Sequence, residues 1–321
     1  MDNNKPIVSF ILTYYNQPTK MVRECLDSIL NLSLRPYERE IIFIDDGSAI
    51  SPINELMSYA DDIIYIRQPN KGLSLARNRG IQIASGQYLQ FVDADDMLNH
   101  AAYEHSLDMV RYMNPDMVVF DFSNRPTNGS TFTDSEVMTG TAYMKDHNIR
   151  GTAWGYIFNR TILGKLRFTP AIYHEDEEFT PQLLLQAKKI YVTDAKAYVY
   201  RKHANTITTK KDKRSKMKRL GDQFTVINTL KQLSTTLPPQ EQQAMQRRID
   251  QLTMAYIYNI IMDTRSRHYL ERKLNLLKRH GLFPLPDKDY TTKYKWFRRL
   301  TNSDFGLKLL VNFLPLMKRE R

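Results

Sequence analysis

The chain has 321 residues, of which 42% are hydrophobic and 25% are charged, with one cysteine and a net charge of +11. This composition is typical of a globular protein, and no run approaches the roughly 18 apolar residues of a transmembrane helix. One cysteine cannot form an internal disulfide, and the first residues lack the pattern of a signal peptide. We therefore expect a cytoplasmic protein in which Cys25 is a small core residue.

The net charge is divided unevenly along the chain. Residues 201–321 carry 27 Lys and Arg against 10 Asp and Glu, whereas residues 1–200 carry 19 basic and 25 acidic side chains. Such a basic region is expected to meet phosphate in nucleic acid, anionic lipid or a charged substrate. We predict a catalytic domain over residues 1–208 and a helical, basic region over 209–321.

The first part alternates strand and helix patterns. Helical spacing of apolar residues occurs at 18–30 and 73–84, and buried-strand patterns occur at 6–13, 40–45, 62–67, 87–92 and 116–122. Strands that alternate with helices of this length predict an α/β fold with a mostly parallel sheet covered on both faces.

The pattern weakens over residues 125–153, which we interpret as a surface loop. Strand character returns in three short runs, at 154–158, 189–193 and 198–200. Three helices are then predicted, at 212–234, 239–266 and 269–280, with the basic run 210–219 as a hinge before them.

A cluster of carboxylates follows the fourth predicted strand. Asp93, Asp95 and Asp96 come directly after the apolar run that ends at Val92. Ligands of open α/β sheets bind beyond the carboxyl ends of strands, and oxygen ligands suit Mg²⁺ and Mn²⁺. The cluster predicts a divalent-cation site beside a diphosphate, although Asp96 could instead cap the following helix.

Four further motifs accompany this cluster: Thr13-Tyr14-Tyr15-Asn16, Asp45-Asp46-Gly47-Ser48, Asn70-Lys71-Gly72 with Ala76-Arg77-Asn78, and His174-Glu175-Asp176-Glu177-Glu178. In this order, over about residues 6–205, they resemble the family 2 glycosyltransferases. Members of that family are inverting enzymes of the Rossmann-like GT-A fold that take nucleotide-sugar donors. The resemblance implies a GT-A domain, a UDP-sugar as the favoured donor and Mn²⁺ or Mg²⁺ as the metal.

The resemblance implies a nucleoside pocket after the first two strands. Thr13 supplies a polar group, and Tyr15 supplies an aromatic face for the base, unless it packs on neighbouring helices instead. Either Asp45 or Asp46 accepts the N–H of the base, since adjacent strand residues point to opposite faces. The other carboxylate then holds the Gly47-Ser48 turn.

The resemblance also implies a diphosphate site. Asp95 coordinates the metal, and Asp93 reaches the ribose or donor sugar, in part through the metal. Lys71 and Arg77 flank the diphosphate, with a solvated helix face as the alternative for each. An arginine among apolar residues at a helix start needs a carboxylate or phosphate partner.

Transfer with inversion needs a base that takes the proton of the acceptor hydroxyl. Residues 174–178 contain four carboxylates, and mutual repulsion raises the pKa of at least one of them. By resemblance the base is Asp176, with Glu175 as the second candidate. An acidic helix N-terminus is the structural alternative.

Two further residues are implied by the family resemblance. His203 matches a histidine that helps bind metal or diphosphate, although a structural histidine is the simpler interpretation. Trp154, between Gly151 and Gly155, resembles the loop that lines the donor-sugar and acceptor cleft, with core packing as the alternative.

The C-terminal region is interpreted from its composition alone. Lys and Arg interleave with Trp, Tyr and Phe at 293–299, and an apolar stretch follows at 305–317. This pattern favours a peripheral position on the inner, anionic face of a membrane. A basic helical subdomain packed on the catalytic domain or on a partner subunit is the alternative.

The sequence thus predicts a metal-dependent glycosyltransferase that adds single sugars to a glycan or lipid-linked saccharide in cell-surface polysaccharide synthesis. A nucleic-acid-binding protein is the first alternative, but helix-turn-helix, zinc and RNP-like signatures are missing, and we expect no nucleic-acid partner. A non-catalytic nucleotide-sugar binder is the second alternative.

Overall fold

The structure is a computed structural model that describes residues 5–202 and 212–317. Within these ranges the chain forms two compact units. The first comprises residues 5–140 and 150–202, and the second comprises 141–149 and 212–317.

The first unit is built on one sheet, whose eight strands in the described residues are β1 (Val8–Tyr14), β2 (Arg39–Asp45), β3 (Ile63–Arg67), β4 (Tyr88–Asp93), β5 (Met97–Leu98), β6 (Met117–Ser123), β7 (Tyr156–Asn159) and β8 (Ile190–Val199). Their order is β3-β2-β1-β4-β7-β6-β8-β5. Strands β1 to β4 and the β6/β8 pair are parallel, whereas β7 runs antiparallel to β4 and β6, and β5 to β8. The α/β class is confirmed, but the sheet is mixed instead of mostly parallel.

The helices of this unit follow the predicted apolar spacing. In α1 (Thr19–Leu30) the buried residues recur every three to four positions and face the sheet: Val22, Cys25, Leu26 and Ile29. Cys25 is therefore a core residue, as predicted. The other helices that begin in this unit are α2 (Leu73–Ile83), α3 (His100–Met113), α4 (Gly140–Asp146) and α5 (Glu175–Gln186).

Two local predictions were wrong in this unit. Residues 189–200 contain one long strand, β8, where two short ones were expected. Asp194 and Lys196 interrupt the apolar pattern. They are exposed and alternate with buried Ala195 and Ala197, as expected for a half-exposed strand. The predicted loop 125–153 also contains α4.

The strand register brings polar side chains to one edge of the sheet. Thr13 pairs with Asp93, Tyr14 pairs with Asp45, and Asp45 pairs with Arg67. Because these four strands are parallel, their carboxyl ends form a continuous polar edge, as predicted for an open α/β sheet.

The second unit is helical, with α6 (Lys213–Ser234), α7 (Pro239–Thr264), α8 (Arg267–Arg279), α9 (Thr292–Thr301) and α10 (Asp304–Met317). Its core includes the buried face of α7, with Tyr256, Ile257 and Ile260. The segment 141–149 joins this unit through Arg247 and Arg248 of α7, which donate to the carbonyls of Lys145 and Ile149 at 2.7 and 2.8 Å.

The hinge predicted at 210–219 was wrong for its described part, because Lys213 to Arg219 form the start of α6. Asp212 caps this helix by accepting the backbone N–H of Ser215 at 2.8 Å. Lys and Arg are good helix formers, so a basic run does not by itself indicate a flexible segment. No helix in the described ranges combines the length and the apolar character that a membrane crossing needs.

Candidate active site

The polar edge begins with Asp45, the last residue of β2, whose side chain is fully buried. One carboxylate oxygen accepts the backbone N–H of Ser48 at 2.9 Å, and the other accepts the hydroxyl of Tyr65 at 2.9 Å. Arg67 lies 3.5 Å from the same carboxylate. Asp45 therefore holds the Gly47-Ser48 turn, the role predicted for one of the two aspartates.

Asp46 organises a different segment. Its carboxylate accepts the side-chain amide of Gln68 at 2.7 Å and the backbone N–H groups of Lys71 and Gly72 at 3.0 and 2.8 Å. These bonds fix the loop that leads into α2. The side chain of Lys71 is exposed to solvent, at the start of this loop-to-helix junction.

The end of β1 lies next to the end of β2 in this region. Thr13 is buried, whereas Tyr15 is 50% exposed and offers its ring to solvent just beyond the strand. Asn16, in the left-handed region at φ 59°, links β1 to the Ser48 turn: its N–H donates to Ser48 Oγ at 3.0 Å, and its side chain accepts from Ala49 N at 2.9 Å. Asn16 belongs to the first motif, but its bridging role was not predicted.

The second region centres on Arg77 of α2, which is only 3% exposed. Its guanidinium donates to Asp93 Oδ1 at 3.1 Å and to Glu175 Oε1 at 2.9 Å. It also lies 5.3 Å from the ring centre of Phe168. The carboxylate partner expected for an arginine in this position is thus present twice, and Arg77 joins the metal motif to the predicted base motif.

Asp176 lies within electrostatic reach of the same group. Burial, the charge of Glu175 and the charge of Asp93 raise the pKa of Asp176 to about 8, against the opposing effect of Arg77. Asp176 is the second residue of α5, where the helix dipole favours negative charge. We define the acidic cluster as Arg77, the carboxyl groups of Asp93, Glu175 and Asp176 that act on it, and Asp95, which acts on Asp93.

The raised pKa of Asp93 has the same physical origin. Burial is the largest cause, Arg77 opposes it, and the neighbouring carboxylate of Asp95 adds to it. Asp95 is partly exposed in the turn that follows β4. The charges of Asp93, Glu175 and Asp176 act on Arg77, and that of Asp95 acts on Asp93, so the carboxyl groups outnumber the guanidinium and a bound cation or a proton would offset the surplus.

Asp96 does not cap the following helix, because Asn99 occupies the N-cap position of α3. Its carboxylate instead accepts the Tyr198 hydroxyl at 2.8 Å and the backbone N–H of Arg201 at 2.7 Å. Burial, with the nearby charge of Asp93, raises the pKa of Asp96 to about 8. Sequence patterns did not reveal Tyr198 of β8 and Arg201, which follows β8, since both lie more than 100 residues away along the chain.

Trp154 lies in an aromatic cluster beside this turn. Its ring is 8% exposed and stacks on Tyr198 at a centroid distance of 4.4 Å, with Tyr200 and Phe122 also in contact. The structure thus places Trp154 in the core, as the alternative interpretation has it, and a sugar contact remains a prediction. His203 lies outside the described residues.

The predicted site residues thus form two groups. The first lies at the ends of β1 and β2 and contains Tyr15, Asp45, Asp46 and Lys71. The second is the acidic cluster at the end of β4 and the start of α5.

Residues 9–168 of this chain match the model of the family described as Glycosyl transferase family 2.

Individual relatives that match this chain are also described as glycosyltransferases. The chain is 29% identical over 220 residues to the uncharacterized glycosyltransferase EpsJ of Bacillus subtilis, and 28% identical over 227 residues to the uncharacterized glycosyltransferase YibD of Escherichia coli. These alignments cover 63% and 65% of this chain and the same shares of the two relatives, which is less than two thirds of their length.

Solved structures share the fold at lower identity. The Staphylococcus aureus TarS fragment 1-349 in complex with UDP-GlcNAc superposes with a TM-score of 0.65 at 18% identity, over 98% of this chain and 91% of that chain. The mannosyltransferase PcManGT of Pyrobaculum calidifontis, in complex with GDP-Man and Mn²⁺, gives a TM-score of 0.54 at 15% identity, over 98% and 88% of the two chains. Over residues 9–168 the chain belongs to glycosyltransferase family 2, and it has the GT-A fold.

Proposed function

We propose that this chain is a metal-dependent inverting glycosyltransferase that transfers a single sugar from a UDP-sugar to a glycan or lipid-linked saccharide. The acidic cluster carries the proposal. Within it, the Asp93–Arg77–Glu175 bridge links the metal motif at the end of β4 to the base motif at the start of α5. A buried surplus of carboxylates is costly unless it serves a cation, a proton transfer or both.

The nucleoside binds at the first region. Tyr15 provides the exposed ring on which a base stacks, and Thr13 provides a polar group beneath it. Asp45 and Asp46 already accept bonds from the protein, but each oxygen of a carboxylate can accept more than one. Asp45 has Ser48, Tyr65 and Arg67 as partners and Asp46 has Gln68, Lys71 and Gly72, so both carboxylates stay candidates for accepting the base N–H. TarS has been crystallised with UDP-GlcNAc, which supports a uridine donor.

The acidic cluster fits a hard divalent cation. No set of three His, Cys, Asp or Glu side chains in residues 5–202 and 212–317 is arranged to chelate a metal unaided. Mg²⁺ and Mn²⁺ commonly take one or two carboxylates and complete their shell with water and substrate phosphates. Asp95, with Asp93 beside it, would hold such an ion, with His203 as a further candidate ligand. When bound, the ion offsets the negative charge of the leaving diphosphate.

Asp176 is the proposed base. Glu175 forms an ion pair with Arg77, whereas Asp176 has a raised pKa and forms no ion pair with the residues that the structure describes. The acceptor oxygen forms a bond to the anomeric carbon while the bond from that carbon to the diphosphate oxygen breaks. The diphosphate leaves with the electron pair, and the hydroxyl proton passes to Asp176. Lys71 and the α2 N-terminus lie on the side where the phosphates are proposed to bind.

The same proposal places the protein in cell-surface polysaccharide synthesis, at the cytoplasmic face of a membrane. Helix α10 supports this because apolar side chains lie on two of its sides. Leu307 and Leu310 are buried on one side, while Phe305, Phe313 and Leu316 are exposed on the other. Residues 291–317 carry five Lys and Arg against one Asp, which favours an anionic lipid surface over a second copy of the same positive face.

Sedimentation with vesicles tests this placement. The wild type should bind vesicles that contain anionic phosphatidylglycerol and not neutral phosphatidylcholine. The double variant Phe305→Ser/Phe313→Ser should lose binding, whereas Tyr112→Ser, at an exposed tyrosine on α3, should retain it. Unchanged vesicle binding by the double variant, or a dimer that it abolishes, would reject the membrane surface.

The activity is tested with a panel of UDP-, GDP- and TDP-sugars with and without Mn²⁺. We expect thermal stabilisation and slow hydrolysis with one UDP-sugar, dependent on Mn²⁺. Asp95→Asn should remove both effects and remain folded. Wild-type-like turnover in Asp95→Asn, or binding of DNA without any effect of nucleotide sugars, would overturn the proposal.

A further inference from the structure

Arg201 makes a concentrated set of hydrogen bonds beside the acidic cluster. Its guanidinium donates to the backbone carbonyl of Asp95 at 2.5 Å and to that of Asp96 at 3.2 Å. It also donates to the carbonyl of Met21 at 2.9 Å and forms an ion pair with Glu24. One side chain thus joins the turn after β4 to helix α1.

The turn needs such support because Asp95 lies beyond the last residue of β4. Asp95 lies two residues past the end of β4, so the direction of its carboxylate depends on how the turn is fixed. Arg201 holds the two carbonyls of this turn, and its own backbone N–H donates to the Asp96 side chain at 2.7 Å. The planar guanidinium fork can hold several acceptors in fixed directions at once, which an ammonium group cannot.

Tyr198, near the end of β8, also holds this turn. Its hydroxyl donates to Asp96 at 2.8 Å and accepts the backbone N–H of Asp93 at 3.1 Å. The turn from Asp93 to Asp96 is therefore held at both ends by β8 and the residue pair that follows it. Neither Tyr198 nor Arg201 belongs to the motifs on which the proposed function rests.

We propose that Arg201 is a positioning residue that fixes the carboxylate of Asp95 for binding of a divalent cation with the donor diphosphate. This inference rests on the proposed function. Arg201 acts through the turn and does not touch the substrate. Because it also binds Met21 and Glu24 of α1, it ties the metal side of the site to the helix that follows the nucleoside segment.

The chain offers a matched control in Arg39. Its guanidinium donates to the carbonyls of Leu30 and Leu34 at 3.4 and 2.8 Å and to Asp62 at 3.2 Å. Arg39 thus contacts two carbonyls and one carboxylate, where Arg201 contacts three carbonyls and one carboxylate. Arg39 lies at the start of β2, at the opposite end of the strand from Asp45. Arg39→Lys and Arg201→Lys should therefore lose comparable stability, and only Arg201→Lys should affect the cation.

The measurement is the Kd of Mn²⁺ in the presence of UDP, by calorimetry on the full chain, with Tm as the second readout. We expect Arg201→Lys to raise this Kd at least tenfold, with UDP binding in the absence of metal within threefold of wild type. Arg39→Lys should leave both constants unchanged. Equal Mn²⁺ affinity in Arg201→Lys and wild type, or an equal loss in Arg39→Lys, would overturn the inference.

A second pair of variants covers a failure of Arg201→Lys to fold. Tyr198→Phe removes only the hydroxyl that holds the turn, and Tyr88→Phe removes the buried hydroxyl that donates to the carbonyl of Pro115 at 2.9 Å. We expect Tyr198→Phe to raise the Kd of Mn²⁺ and Tyr88→Phe to leave it unchanged. Equal Kd values in the two variants would reject the positioning role. If wild type itself bound neither UDP nor Mn²⁺, the proposed function would fail, which is a separate outcome from equal binding by wild type and variant.

Discussion

Arg77 and Glu175 form a buried ion pair at 2.9 Å across 98 residues of sequence. Glu175 is the first residue of α5, so this pair fixes where the proposed base, Asp176, stands relative to the end of β4. The same guanidinium holds Asp93 at 3.1 Å. We interpret Arg77 as the internal counter-ion of the acidic cluster.

Arg77→Met should therefore destabilise the fold strongly, because it leaves two buried carboxylates without their partner. Removal of one member of a buried ion pair costs about 3–5 kcal/mol. Urea denaturation at pH 7.5 measures the loss. Arg79→Met, at an exposed position of the same helix, should change stability by less than about 0.5 kcal/mol. A similar small change for Arg77→Met would mean that the pair does not hold the cluster together.

Asp176→Asn should reduce turnover without weakening donor binding. A general base typically contributes 10²–10⁴-fold, so we expect a loss of kcat in about that range. The Kd for the UDP-sugar with Mn²⁺ should stay within about threefold of wild type. Glu177→Gln, the next carboxylate along α5, is the control and should keep most of the activity. If Asp176→Asn turned over normally while Glu175→Gln did not, the base would have to be reassigned to Glu175.

The position of the candidate carboxylates at one edge of the sheet was predictable from sequence. Asp45 and Asp93 each end an apolar run, and parallel strands bring such ends to one edge of a sheet. The contacts that support them were not predictable. Arg77 meets Glu175, and Arg201 meets Asp95, through chain separations of about 100 residues that leave no periodic or local signal.

The antiparallel strands of the sheet were not predictable from sequence either. Strand β7 has four residues and β5 has two, too few to show a period or a direction. Trp154 also illustrates the limit of motif reasoning. The sequence left a sugar contact and core packing open for Trp154, because the stacking of its ring on Tyr198 depends on the long-range approach of β8.

The raised pKa of Asp176 makes a prediction about stability and pH. In the unfolded chain its carboxyl titrates near about 3.9, and in the folded protein it titrates at about 8. Between these values the folded state binds more protons than the unfolded state, so stability falls as pH rises. Above pH 8 the loss is complete.

Asp176→Asn removes this penalty and should be more stable than wild type at pH 8.5 and equal to it at pH 4. The shift from about 3.9 to about 8 corresponds to at most about 5–6 kcal/mol at pH 8.5, so we expect a gain in stability of a few kcal/mol and a higher Tm. The pKa of Asp96 is also raised to about 8, so the stability of the variant still falls with rising pH because of that group. Calorimetric melts of both proteins without metal measure the difference. A variant that melted below wild type at pH 8.5 would contradict the buried, repelled state of this carboxylate.

The turn between Asp46 and Ser48 allows a last test of the nucleoside region. Gly47 has a φ of 73°, and a Cβ at this position would lie 2.4 Å from the backbone nitrogen of Asn70. Gly164 has a φ of 49° with open space around it. Both glycine-to-alanine variants incur the cost of a left-handed residue, about 1–2 kcal/mol, but only Gly47→Ala adds a clash with backbone.

Gly47→Ala must push the loop at Asn70 away from the Asp45–Ser48 turn and so disturb the contacts of both aspartates. We expect its Kd for UDP to rise at least tenfold, with a stability loss larger than that of Gly164→Ala. Gly164→Ala should bind UDP as wild type does. Calorimetric titration and urea denaturation of the two variants give these numbers. Equal UDP affinity in both would place the nucleoside away from the ends of β1 and β2, because no ligand seated there could escape the displacement.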